Sequence, residues 1–110
     1  MSLWTNYLKE RLGYDAVETE AGFITYRIKG AVCEIFDIYV APEFRRGRKG
    51  WTLVDEVVAT AKQQNCTLLM GYIWAGINGA SESMSAHLAY GFKIYTADGG
   101  KITMTKDIGG

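Results

Sequence analysis

The sequence predicts an α/β (α+β) fold, in which a mixed, mostly antiparallel central sheet is flanked by helices. Three observations carry that expectation. The segments read in the order α-β-β-β-α-β-α-β-β. Three consecutive strands with short connections come first, as antiparallel neighbours do, and a strand-loop-helix-strand crossover then brings in a parallel neighbour. The last two strands are joined by Ala97-Asp98-Gly99-Gly100, which contains a hairpin signal. The chain has 110 residues, read as a single domain over 1–110.

Each element has its own signal. Leu3, Trp4, Tyr7, Leu8 and Leu12 recur at helical spacing and Gly13 offers a stop, so residues 3–12 read as a helix. Tyr14 to Glu20 is a weak strand and Ala21-Gly22 a turn. Phe23 to Lys29 is a stronger strand, because Ile24, Tyr26 and Ile28 alternate with Thr25, Arg27 and Lys29. Gly30 turns the chain into Val32 to Val40, rich in β-branched and aromatic residues, and Pro42 ends that strand. Trp51 to Gln64 carries an apolar stripe of Leu53, Val54, Val57, Val58 and Ala61 opposite Asp55, Glu56 and Lys62, with Asn65 as its end. Cys66 to Trp74 is an apolar run suited to a buried central strand. Asn78 to Tyr90 reads as a short helix stopped by Gly91, and Phe92 to Thr96 and Lys101 to Lys106 read as the closing strands.

Composition narrows the function. Formal net charge is zero, so no global field draws in nucleic acid or anionic lipid. Cys33 and Cys66 each sit in an apolar run, where cysteine behaves as a small hydrophobe. Two cysteines and one histidine without ligand spacing give no expectation of a metal site. No apolar stretch reaches membrane-spanning length and no signal-peptide pattern opens the chain, so the expected location is cytoplasmic.

The informative stretch is Ile38 to Gly50. Arg45, Arg46, Arg48 and Lys49 place four cations within five residues, immediately before a helix. A helix start presents unpaired amide hydrogens and the positive end of the dipole, and it prefers anions, phosphate above all. Glycines let backbone approach the ligand, and arginines add charge-assisted bonds. The alternative reading of the cluster is a solvated basic turn.

Here the sequence resembles the GCN5-related N-acetyltransferases, whose pyrophosphate loop runs Val-x-Pro-x-aromatic-Arg-Gly-x-Gly-x-Gly into an amphipathic helix. Val40, Pro42, Phe44, Arg45 and Gly50 match, and Asp37-Ile38-Tyr39 precedes them as a common family run. Arg46 and Arg48 replace two glycines, and Gly47 stands at a variable position. A second helix opening near Asn78 and closing in Gly91-Phe92 also fits. The resemblance implies the acyl-CoA N-acyltransferase fold with a shortened N-terminal part. It implies acetyl-coenzyme A held by Tyr39, Val40, Arg45, Arg46, Gly47, Arg48, Lys49 and Gly50, with Asn78 on the pantetheine arm or capping its helix. A side chain at Arg48 either obstructs the pyrophosphate or points outward and adds charge.

The same resemblance implies direct transfer of acetyl from the thioester to an amine. An amine with a pKa near ~10.4 is mostly protonated at pH 7, so a base is needed. Glu34 is the first candidate, since its apolar neighbours would raise its pKa; the other reading is an edge carboxylate. Asp37 is the second, facing opposite to Glu34 by alternation unless a bulge upsets the parity. His87, four residues before Gly91, stands where relatives place an acid, or is a surface histidine. Tyr90 is a further donor or a core residue, and Trp51 packs over the cofactor or marks a rearranged site. Trp4, Tyr7, Tyr72 and Trp74 line an acceptor pocket or belong to the core. The expected acceptor is an amine of a small molecule or protein, with no nucleic acid or membrane partner; a homodimer is left open. The alternative function is a catalytically silent relative, a coenzyme-binding or phage-type interaction module.

Overall fold

The computed structural model describes residues 2–45 and 49–109, with backbone alone at Lys49 and Gly50. Helix α1 (Leu3–Tyr7) continues as a π-helical turn, Leu8–Leu12, and stops at Gly13, whose φ of 71° lies in the left-handed region. Strands β1 (Asp15–Thr19), β2 (Gly22–Lys29) and β3 (Val32–Val40) form an antiparallel meander. A 3₁₀ turn, Pro42–Phe44, leads towards helix α2 (Lys49–Gln63). Strand β4 (Leu68–Trp74), helix α3 (Ala80–Tyr90) and the hairpin β5 (Lys93–Asp98) and β6 (Lys101–Asp107) complete the chain.

The six strands form one mixed, mostly antiparallel sheet, as the sequence predicts, in the order β1-β2-β3-β4-β6-β5. β3 and β4 are parallel; the other pairs are antiparallel. The stripe Leu53, Val54, Val57 and Ala61 of α2 is buried against Ile24, Tyr26, Cys33, Ile35, Leu69, Ile73 and Met104. These apolar groups leaving water stabilise the core by roughly 1.5–3 kcal/mol for each large side chain. Tyr90 stacks on Trp51 at 4.7 Å, which ties α3 to α2 on the same face of the sheet. On the opposite face Trp4 meets Phe23 edge-on at 5.0 Å. Cys33 and Cys66 are both buried, and burial pushes the Cys33 thiol up to about 12. No described helix is long and apolar enough to cross a membrane.

Four boundaries differ from the sequence reading by two residues. α2 starts at Lys49 rather than Trp51, so Lys49 and Gly50 belong to its first turn. β4 starts at Leu68, because the Cys66 amide is spent on the Ala61 carbonyl, at 2.9 Å, in closing α2 beyond Asn65 (φ 65°). α3 starts at Ala80: Asn78 lies in the preceding loop, and Gly79 (φ 87°) occupies the cap position without a side-chain bond. Ala97 and Asp98 remain in β5, since Gly99 and Gly100, at φ 58° and 82°, make the two-residue turn unaided.

Candidate active site

The site begins with a parting of strands. β3 and β4 pair from Val32–Leu68 to Ile35–Gly71 and no further. Beyond Ile35, β3 keeps β2 on one side and, among the described residues, has no ladder partner on the other. The same point carries an irregularity: Tyr26 pairs with Ile35 and Thr25 with Asp37, leaving Phe36 as an extra residue. Such a bulge lets two successive side chains share a face. Ile35 and Ile38 both pair with core residues, Tyr26 and Ile24, so Glu34, Phe36 and Asp37 all look to the opposite face. The alternation that set Asp37 against Glu34 is thereby corrected.

The parting opens a cleft of about 570 Å³. β3 supplies Ile35 to Ile38 and Val40, β4 supplies Tyr72 to Trp74, and Phe44, Arg45 and Trp51 close one end. Ile77, Asn78 and Gly79 from the loop, with Ala80, Ser83, Ala86 and His87 from α3, form the other wall. Arg45 donates from Nε to the Val40 carbonyl at 2.8 Å, and its guanidinium lies 5.4 Å from the Tyr39 ring centroid. A cation is thus fixed at the mouth of the cleft, on the approach to α2. A smaller chamber of about 400 Å³ lies on the second face of the sheet, lined by Tyr14, Phe36, Asp37, Tyr72, Trp74 and Lys101. The two share Phe36, Asp37, Tyr72 and Trp74, so they meet where the strands part.

Residues 4–92 match the model of the acetyltransferase (GNAT) family. The chain belongs to that family. Solved GNAT-fold structures are correspondingly similar. The PaiA N-acetyltransferase of Thermoplasma acidophilum, in complex with coenzyme A, superposes with a TM-score of 0.77 at 22% identity, over 96% of this chain and 69% of that one. A GNAT family acetyltransferase of Elizabethkingia anophelis with acetyl-CoA bound gives 0.72 at 18% identity, over 96% and 81%. The anti-CRISPR protein AcrVA5 gives 0.68 at 20% identity, over 84% of this chain and 98% of that one. No curated protein matches the sequence.

Within this GNAT domain the expected site residues separate into groups. Asp37, Val40, Arg45, Asn78 and His87 line the cleft, and Tyr39 stands beside it under Arg45. Arg46, Gly47 and Arg48 lie outside the described residues, as does the Lys49 side chain. Glu34 does not line the cleft. It accepts from Arg27 at 2.9 Å and from the Tyr72 hydroxyl at 2.7 Å. Burial works to raise its carboxyl, but Tyr72 and Arg27 outweigh burial and hold it below the usual range. The raised pKa expected of Glu34 is therefore corrected: it is an engaged anion. In the same pair burial, then Glu34, pushes the Tyr72 phenol up to about 12.

Asp37 takes the position in reach. Its Oδ2 accepts from the Thr25 hydroxyl at 3.2 Å and its amide donates to the same hydroxyl at 3.0 Å. His87 is buried rather than on the surface; its Nδ1 lies 2.7 Å from the Ser83 carbonyl, which can only accept, so Nδ1 carries the proton. Burial lowers its pKa, partly opposed by that bond. Gly71 makes room: a Cβ there would stand 3.4 Å from Nε2. Tyr90 is spent on packing, donating to Asp55 of α2. Trp4 and Tyr7 line neither chamber, while Tyr72 and Trp74 line both. The sequence reading missed Tyr14, Phe36 and Lys101. Phe36 needed the bulge, and Lys101 needed its register opposite Trp74.

Proposed function

We propose that this GNAT domain is an acetyl-coenzyme A-dependent N-acetyltransferase that acts by direct attack of an amine within a ternary complex. The observation that carries the reading is the parting of β3 from β4, which leaves an open strand edge beside a cleft with Arg45 at its mouth. An extended, amide-bearing arm can satisfy such an edge as an added strand would. Asn78 offers it a further polar partner. Arg45 and the first amides of α2 suit a diphosphate. When bound, coenzyme A supplies the acetyl group as a thioester. Trp51 and His87 line the wall along which the arm would lie.

The acceptor enters from the second chamber, and Asp37, common to both, draws the proton from its ammonium directly or through water. The sum is balanced: an ammonium and a thioester give an amide, a thiol and one proton. The test is calorimetry with coenzyme A and acetyl-coenzyme A, followed by thiol release over a panel of amines. Expected are binding that weakens with salt, and turnover that is lost in Asp37→Asn while binding persists. Absence of heat and of any melting shift at millimolar coenzyme A would overturn the reading.

A further inference from the structure

The chamber on the second face holds one anion and one cation that have not found each other. Among the described residues the Asp37 carboxylate accepts from Thr25, and the Lys101 ammonium stands over the rings of Tyr72 and Trp74, 5.2 and 5.9 Å from their centroids. Among the described residues, ion pairs join Lys9 to Asp15 and Arg27 to Glu34, and neither Asp37 nor Lys101 enters one. Between the two charges runs a wall of rings. Tyr14 stacks on Phe36 at 4.2 Å, Phe36 faces Tyr72 at 6.2 Å, and Trp74 is 54% exposed. Arg27 does not compete for a ligand here, because Glu34 neutralises it.

Opposite charges set apart along an aromatic wall suit a ligand that is charged at both ends and flat between. Asp37 lies on β3 and Lys101 on β6, with β4 between them. Paired strands lie ~4.8 Å apart, and β3 has already left β4 at Asp37, so the two backbones are separated by more than the roughly 10 Å of two strand spacings. We infer that the acceptor is a zwitterionic amine. Its ammonium seats at Asp37, its flat apolar body lies on Phe36, Tyr72 and Trp74, and its anionic end pairs with Lys101. Lys101 is then the specificity residue of the reaction. This inference rests on the acetyltransferase reading above and names the substrate class for the same site.

Three probes share one ring and one reactive amine: 4-(aminomethyl)benzoate, benzylamine and p-xylylenediamine. Their affinities for the coenzyme A-loaded chain, and kcat/KM with acetyl-coenzyme A, are compared. The benzoate is expected to be favoured over benzylamine by roughly tenfold, the worth of one charge-assisted bond. Lys101→Ala should bring that ratio to about one, and Lys101→Glu should invert it in favour of the diamine. Coenzyme A affinity and melting temperature of both variants serve as controls for folding and should stay at the parent values. Equal affinity for the three probes, preference for the diamine by the parent chain, or no binding of any to the coenzyme-loaded chain overturns the inference while leaving coenzyme binding intact. Loss of coenzyme binding in the parent chain would instead remove the underlying reading.

Discussion

Asp37 and Glu34 are three residues apart on one strand and share a face, yet of the two only Glu34 sits in an ion pair among the described residues. Glu34 is tied to Arg27 and Tyr72. Replacing it with Gln should destabilise the fold by roughly 1–2 kcal/mol, read in urea melts, because a half-buried arginine loses its partner. Asp37→Asn should lower kcat by about 10²- to 10⁴-fold with coenzyme affinity unchanged, as removal of a base does. The two substitutions thus separate support from chemistry. Arg45→Ala should weaken coenzyme A by about tenfold or more, with a flatter salt dependence in calorimetry. At His87 the folded-state pKa lies below that of the unfolded chain, so the unfolded state binds more protons. Stability is then full above about pH 6.5 and falls as pH drops through that value. Melts of His87→Gln should lack this slope. Glu34 was misjudged because its partners lie 7 and 38 residues away in sequence, where flanking apolar residues give no notice of them.

At the level of elements, most of the fold was readable and its joints were not. The stripe of α2 gave the correct buried face, and the β-branched runs gave all six strands. The bulge at Phe36 leaves no mark in the sequence, because it depends on how β2 and β3 register. Ends moved where glycines took left-handed conformations, as at Gly79 and Gly99. Gly22 is required for a different reason, close approach. A Cβ there would meet the Tyr39 carbonyl oxygen at 1.9 Å, where β2 starts opposite Val40 at the end of β3. Gly22→Ala should cost about 1–3 kcal/mol, checked by denaturant unfolding, and should weaken coenzyme binding along with it. Within α2, Leu53→Ala should cost about 2–5 kcal/mol, since its side chain is fully buried.

For the molecule as a whole, function follows from one topological event. An α2 crossover makes β3 and β4 parallel neighbours, and their separation beyond Ile35 joins a cleft on the helical face to a chamber on the other. The expectation of phosphate binding rests on proline, arginine and glycine falling in register before a helix. The chamber on the second face was not legible, since it gathers Tyr14, Phe36, Tyr72 and Lys101 from four separate parts of the chain. Hydrogen exchange with and without coenzyme A tests the whole arrangement most directly. Amides of residues 36–40 on the open edge of β3, and those opening α2, should become protected, while the β5–β6 hairpin stays unchanged. Unchanged exchange along β3 with saturating coenzyme A, or protection confined to the hairpin, would contradict the account.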